Sequence, residues 1–468
     1  MARRLVVVGA DAAGMSAAAQ ARRLTGREEM EITAFERGHF SSYSACGIPY
    51  WVGGQVADRD RLIARTPEEH RARGIDLRMS TEVTAIDLDR RAVRVRPVGG
   101  GPGEIDGPLP GAAGEERWEP FDLLVVATGA EPVRPALPGF DAPGVHGLQT
   151  LDDGAALLRT LDRGSALRAV VVGGGYIGIE TAEAMVRRGL SVTVLDRGEE
   201  PMSTLDPDMG RLVREAMQGM GIEVHTGPGA EVRAVRLGED GRPRAVVTAD
   251  AEHPADVVVL GLGVRPRAEL ARAAGMPIGE HGGILTDARM RVRGLEGVWA
   301  GGDCVEVYDL VAGGYRHVPL GTHANKQGQV IGSGVGGQRA AFPGVVGTAV
   351  SKVCELEIAR TGLREKEIRA AGLPYVSVVV ESTGRAGYYP GAEPMTVKMH
   401  AETGTGRLLG VQVVGREGAA KRVDAAAVAL TARMTVDQVA MLDLGYAPPF
   451  SPVWDPIQVA ARKAATAV

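Results

Sequence analysis

Leu5-Val6-Val7-Val8-Gly9-Ala10-Asp11-Ala12-Ala13-Gly14 and Ala169-Val170-Val171-Val172-Gly173-Gly174-Gly175-Tyr176-Ile177-Gly178 are one pattern written twice, 164 positions apart. Each opens on a short β-branched run, which reads as a buried strand, and closes on glycines, which read as a tight turn. The next stretches, Met15–Leu24 and Ile179–Arg188, read as helices, and each helix leads to a second short strand ending on a carboxylate, Glu31–Glu36 and Ser191–Asp196. This unit suits a dinucleotide. Free N–H groups and the dipole at the helix start hold a pyrophosphate, and the acid at the strand tip accepts from ribose hydroxyls. Two copies predict an α/β chain with two Rossmann-like dinucleotide-binding domains.

The 468 residues leave room for more, since a domain takes roughly 100–200. From about Gly344 the pattern changes to separate strands (Val376–Val380, Met395–His400, Leu408–Val414) followed by helices (Ala419–Arg433, Thr435–Met441), which reads as a C-terminal α+β domain. Pro97–Pro120, rich in Gly and Pro, reads as a surface loop joining strands of an antiparallel excursion. With 53 basic and 58 acidic residues the chain carries −5, which lacks the basic footprint of a nucleic-acid binder. Glycine is the outlier, 65 residues against a usual ~7%. Only Cys46, Cys304 and Cys354 are present, which speaks against a disulfide-stapled secreted fold and a Cys-rich zinc module, and no metal site is expected. The apolar runs fall far short of the ~18 residues a membrane span needs, and the N-terminal run is too short for a signal peptide, so a cytoplasmic protein without a membrane partner is expected.

The two glycine loops differ. Gly173, Gly175 and Gly178 complete G-x-G-x-x-G, whereas the first loop keeps Gly9 and Gly14 but has Asp11 in the middle place, where its charge must turn away from a pyrophosphate. Glu36 lies 22 residues beyond Gly14 and Asp196 lies 18 beyond Gly178. A carboxylate at Asp196 accepts from a free 2′-OH and repels a 2′-phosphate, which favours NADH; Arg197 beside it can hold that phosphate, which keeps NADPH open.

Cys46 lies in Ser42-Tyr43-Ser44-Ala45-Cys46-Gly47-Ile48-Pro49-Tyr50, with Ser41 and Trp51 at the positions five away, so no cysteine pair can form in this segment. By itself it is either a buried apolar residue or a reactive thiol in a Gly/Ser/Pro turn; near a helix start a thiolate would have a lowered pKa. Three further segments stand with it: Ala127-Thr128-Gly129, Gly301-Gly302-Asp303, and Gly321 to Gly328 (GTHANKQG). Together they resemble, over the whole chain, the single-cysteine flavoprotein disulfide reductases: coenzyme A-disulfide reductase, NADH oxidase and NADH peroxidase.

The resemblance implies FAD on the first unit, at Gly9, Asp11, Ala12, Gly14, Glu36, Arg37, Ser42, Val83, Ala127, Thr128, Gly129, Gly302, Asp303, Gly321, Thr322 and Ala324. Asp303 would hold the ribityl chain; its alternative is a capping aspartate. NADH or NADPH is implied on the second, at Gly173, Gly175, Tyr176, Ile177, Gly178, Glu180, Asp196, Arg197, Gly261 and Gly263, with Tyr176 covering the nicotinamide site. The implied domains are FAD-binding 1–150 and 282–343, NAD(P)H-binding 151–281, and dimerisation 344–468.

Within that family the resemblance points to coenzyme A-disulfide reductase. The histidine that oxidases and peroxidases carry in the first loop is Ala12 here. The segments Tyr388-Tyr389-Pro390-Gly391 and Tyr446 to Pro452 look like that enzyme's two tyrosine segments, so in a homodimer Tyr388 and Tyr446 of one chain would meet Cys46 of the other and protonate the departing thiolate. Gln20 and Arg23, with Arg22, resemble its coenzyme-binding helix, though such arginines are also ordinary solvated charges; Ser42 and Cys46 complete the substrate set. Ala45 stands where an asparagine usually precedes the cysteine, and no rhodanese-like extension is expected after Val468. The implied activity is NAD(P)H-dependent reduction of coenzyme A disulfide or a related low-molecular-weight disulfide through Cys46. Three alternatives stay open: an NADH oxidase using oxygen through a Cys46 sulfenic acid, a reductase of persulfides or another thiol, and an electron-transfer or NADH-responsive flavoprotein in which Cys46 is inert.

Overall fold

A computed structural model describes residues 2–98, 116–164 and 167–468. Both repeats form open parallel sheets of five strands. The first runs Val298–Ala300, Leu123–Val126, Arg3–Val8, Met30–Phe35, Asp76–Arg78; the second runs Glu223–Thr226, Ser191–Asp196, Arg168–Val172, Val257–Leu260, Val145–His146. Beyond the arginines at their first positions, their central strands are apolar, Leu5–Val8 and Ala169–Val172, and buried on both faces, as parallel strands covered by helices must be. The helices start earlier than the sequence suggested, at Ala12 and Tyr176, directly after the glycine loops.

Each parallel sheet carries a three-stranded antiparallel flank: Thr81–Asp87, Ala92–Pro97 and Arg117–Pro120 on the first, Val232–Leu237, Pro243–Thr248 and Glu252–Pro254 on the second. The expected excursion around 97–120 is therefore antiparallel, while residues 99–115 of its loop lie outside the described residues. Two short strands, Ala130–Pro132 and Val264–Pro266, leave equivalent ends of the two parallel sheets and pair antiparallel, tying the units together.

The C-terminal region is an antiparallel sheet of five strands, in the order Ala349–Val353, Leu356–Gly362, Leu408–Gly415, Pro394–Glu402, Tyr375–Thr383. Helices Ala419–Thr431 and Pro456–Ala465 bury their apolar faces in its core. A buried ionic network holds it to the second unit. Asp206 caps helix Pro207–Gly219, its carboxylate 3.2 Å from the Lys398 ammonium and 3.0 Å from His400 Nε2, and accepting from Gln412 Nε2 at 2.7 Å. Burial alone would raise the Asp206 carboxyl; hydrogen bonding to His400 and the His400 and Lys398 charges hold it well below the usual range. Breaking one partner of such a network strands a buried charge, so it fixes the mutual position of the two regions.

Candidate active site

The two glycine loops are built alike. Gly9 and Gly173 take φ of +94° and +99°, a region closed to most side chains, and a Cβ on either would land on a carbonyl oxygen, of Ala127 or Gly261 respectively. A Cβ at Gly14 or Gly178 would land on the carbonyl oxygen of Gly9 or Gly173, so only glycine lets strand and helix approach this closely. Glu36 accepts from Ala10 N and Gly38 N, both at 2.9 Å, and Asp196 accepts from Gly174 N at 2.6 Å and Gly198 N at 2.7 Å. The acid at each strand tip thus sits directly over its own loop.

The first loop is tied into its surroundings. The Asp11 carboxylate accepts from Tyr43 N at 3.3 Å and from Ser42 N, so it turns toward the Cys46 segment, as the sequence required of a charge beside a pyrophosphate. Burial pushes its carboxyl up to about 7. Ser41 Oγ donates to Ala10 O at 2.6 Å, a second strap between the same two segments. Helix Gly321–Val335 lies along helix Ala12–Leu24. A Cβ at Gly328 or Gly332 would come within 2.5 Å of the Ala13 or Ala17 carbonyl oxygen, so these glycines set the approach.

Residues beyond Trp299 complete the FAD side. Gly302 N donates to Gln327 Oε1 at 2.7 Å, and the Asp303 backbone carbonyl lies 2.8 Å from His317 Nε2. The Asp303 carboxylate takes no hydrogen bond among the described residues, and burial raises it to about 6. Gln327 Nε2 is buried without a partner among the described residues. An acceptor and a donor without partners, beside a glycine cradle that a Cβ would fill, fit a polyhydroxylated chain and pyrophosphate, so these residues suit FAD. Thr128 Oγ1 donates to Arg267 O at 2.6 Å, which brings the Arg267 guanidinium near Arg37 and Glu36. Sequence reasoning missed Arg267 and gave Gln327 no role. Val83 pairs with Val95 beside a bulge, against the first core.

Cys46 lies on a single 3-10 turn, Ala45–Gly47, and is exposed; Cys304 is buried and Cys354 half-buried. Surrounding protein desolvates the Cys46 thiolate, and Glu180 and Asp303 add negative charge, so its pKa is raised. This corrects the expectation of a lowered one: burial, the largest cause, acts with the two carboxylates, and the helix that follows, Ile48–Val52, has only five residues. Glu180 itself is raised to about 7 by burial, while Ser351 Oγ donates to it at 2.7 Å. Ser351 is on the first strand of the C-terminal sheet, and Cys354 N from the same hairpin donates to Glu183 at 2.9 Å.

In the second unit, a Cβ at Gly175 would find only the Gly261 carbonyl, at 3.9 Å, so the loop is open there. The Tyr176 and Thr204 hydroxyls are both buried and face each other. Arg197 is exposed. Gly263 has a φ of +84° and open space around it, as has Gly129, its counterpart in the first unit, at +69°.

The tyrosine segments meet at the surface, where Ala386 N donates to Pro448 O at 3.0 Å. Tyr388 is 77% exposed and Tyr446 48%, and hydrogen bonding to Tyr446 raises the Tyr388 phenol. Phe450 and Val453 are exposed beside them. Gln20 donates to Ser333 at 3.2 Å and accepts from Arg23, whose guanidinium is exposed; Arg22 is turned inward to the Met30 carbonyl, away from solvent.

Two parallel sheets with phosphate loops, a lone thiol at the junction and a third antiparallel region define a two-dinucleotide oxidoreductase. The chain belongs to the pyridine nucleotide-disulphide oxidoreductase family, whose profile matches residues 3–328, with the family's dimerisation domain matching 348–456. It is an FAD-dependent NAD(P)H oxidoreductase. It is 37% identical, over 98% of both chains, to a Pyrococcus furiosus protein described as NAD(P)H sulfur oxidoreductase (CoA-dependent). It is 27% identical, over 99% of both, to coenzyme A disulfide reductase of Staphylococcus haemolyticus. Among solved structures, the NAD-dependent persulfide reductase from A. fulgidus superposes with a TM-score of 0.92 at 38% identity, over 99% of this chain and 83% of that one. Among the described residues no helix is long and apolar enough to cross a membrane.

Proposed function

We propose that the chain uses NAD(P)H to reduce the sulfur–sulfur bond of a coenzyme A-linked low-molecular-weight substrate, a disulfide or a persulfide, through Cys46. One observation carries this: Cys46 is the exposed cysteine, and Cys304 and Cys354 are held elsewhere by backbone contacts, so its sulfur partner has to arrive from solution. The names of its relatives support both substrate forms, which present the same bond to attack.

Bound FAD, held by the first loop, Asp303 and Gly302, supplies two-electron transfer between NAD(P)H and sulfur. Cys46 as thiolate attacks the substrate, one thiol leaves, and a mixed disulfide remains on Cys46. Two electrons from NAD(P)H release the second thiol and restore the Cys46 thiolate. The raised Cys46 pKa means that a proton must first leave it, and the charge of Glu180, itself titrating near neutrality, acts on that step. In the proposed homodimer, Tyr388 and Tyr446 of one chain donate to the thiolate leaving Cys46 of the other. Gln20, Arg23 and Ser42 line the coenzyme path. The domains behind this reading are 1–150 with 282–343 for FAD, 151–281 for NAD(P)H, with Val145–His146 as the handover strand, and 344–468 for dimerisation.

The test is NAD(P)H consumption by the purified holoprotein with coenzyme A disulfide, coenzyme A persulfide, glutathione disulfide, peroxide and oxygen. The coenzyme A-linked substrates are expected to have the highest kcat/KM. Faster consumption with oxygen or peroxide overturns the proposal.

A further inference from the structure

Ser42 occupies a position a serine rarely takes, with φ at +53°. The loop holds it there: Ala64 N donates to Ser42 O and Ser44 N donates to Leu62 O, both at 2.8 Å. Its hydroxyl lies 2.9 Å from Nε2 of His70, on the short helix Pro67–Ala72. His70 is 1% exposed, and its other ring nitrogen, Nδ1, is buried without a partner among the described residues. Burial, with Arg65 and Arg73 nearby, lowers His70 to about 4, so the imidazole is neutral at physiological pH and carries one proton.

The geometry decides where that proton sits. On Nδ1 it would be an orphaned buried N–H, costlier than an unused acceptor. On Nε2 it donates to Ser42 Oγ. The Ser42 hydroxyl has then used its acceptor side on His70 and must donate its own hydrogen elsewhere. Among the described residues the available acceptor is Ser41 Oγ, at 3.5 Å, the edge of hydrogen-bond range. Four residues before Cys46, this leaves a hydroxyl donor held in place with its proton uncommitted.

We infer that His70 is a positioning residue that presets Ser42 as a hydrogen-bond donor to an acceptor atom of the thiol-bearing substrate at Cys46. This rests on the proposed reduction at Cys46 and adds to it how the substrate is oriented. No atom of His70 need touch substrate.

The experiment is steady-state kinetics and single-turnover flavin reduction for His70→Phe, His70→Gln, Ser42→Ala and the double variant His70→Phe/Ser42→Ala, each as FAD-loaded protein with coenzyme A disulfide and coenzyme A persulfide. His70→Phe is expected to raise KM for the sulfur substrate ~5–10-fold, the scale of one neutral hydrogen bond, with the NADH-driven flavin reduction rate unchanged. His70→Gln, whose side-chain N–H₂ can replace Nε2–H, should recover part of the loss. In the Ser42→Ala background His70→Phe should add nothing. Additive effects, unchanged KM in His70→Phe, or slowed flavin reduction overturn the inference. A wild-type protein inactive on both sulfur substrates defeats the proposed function instead, so the two failures are separable.

Discussion

The two dinucleotide units share their turn glycine, their close-packing glycine and their strand-tip acid, and differ at the four loop positions between the glycines, in charge only at Asp11 against Gly175. Gly9 matches Gly173, Gly14 matches Gly178, and Glu36 and Asp196 grip their loops through the same pair of backbone N–H groups. Where the second unit has Gly175 and open space, the first has a carboxylate bonded to the backbone of the Cys46 segment. Helix Gly321–Val335 locks the first loop's helix; the second loop's helix instead carries Tyr176, whose hydroxyl is buried facing Thr204. On the proposed assignment, the same fold would serve a resident cofactor where side chains strap the loop down, and an exchanging one where they leave it open. Point variants in either unit put that contrast at risk.

The largest effect is expected at Cys46. If the first unit carries the relay to sulfur and the second only delivers reducing equivalents, Cys46→Ser should abolish disulfide and persulfide turnover, while NAD(P)H still bleaches the flavin at the wild-type rate. Stopped-flow absorbance of the flavin with steady-state assays checks both. Wild-type sulfur turnover in Cys46→Ser would end the proposed mechanism.

The next effect tests a third region. Tyr388→Phe/Tyr446→Phe should slow sulfur turnover ~10²–10⁴-fold, the usual range for general acid help, with flavin reduction intact. Their exposure in a single chain is what a site completed by a second copy requires. Mixing this variant with Cys46→Ser and allowing subunit exchange should regenerate one wild-type site per heterodimer. Two inactive parents that stay inactive after confirmed exchange place the tyrosines outside the reaction.

How far the sequence could be read depends on distance along the chain. Gly9 to Glu36, Gly173 to Asp196 and the Ser42–Tyr50 segment are each local, so strand period and turn chemistry exposed them, and the parallel sheets formed as expected. The tyrosine segments around Tyr388 and Tyr446 came from the family resemblance alone, and their role at Cys46 stays a proposal. His70, Arg267 and Ser351 were not legible. Each earns its place by packing against a residue 28, 139 or 171 positions away, which no local period encodes. The raised Cys46 pKa was missed for the same reason: Glu180 and Asp303 reach it from two other parts of the fold.

A smaller effect isolates Asp11. Its folded pKa, about 7, lies above its unfolded value of about 4, so between these values the folded state binds more protons and stability falls as pH rises. Asp11→Asn removes that titration and keeps an acceptor for Tyr43 N. Its melting temperature minus that of wild-type holoprotein should widen from pH 4 to above 7 and then level, a difference on the order of a few kcal/mol at most. A gap independent of pH would mean that the strap bears its charge without cost, and the contrast with Gly175 would lose its energetic basis.

The smallest effect concerns the second unit's acid. Both oxygens of Asp196 accept, from Gly174 N and Gly198 N, and in the proposed nicotinamide site the same carboxylate would repel a 2′-phosphate. Asp196→Ala removes the repulsion and leaves exposed Arg197 free to meet the phosphate, so the NADPH-to-NADH ratio of kcat/KM should rise ~10-fold, about 1.4 kcal/mol. The lost loop hydrogen bonds should raise KM for NADH in the same variant. Arg197→Ala should move the ratio the other way. Glu36→Ala in the first unit should show no cofactor switch and instead weaken FAD retention, measured as flavin released on gel filtration. If Asp196→Ala loses both nicotinamides equally, the carboxylate acts on the loop alone, and the choice of nicotinamide is made elsewhere on the second unit.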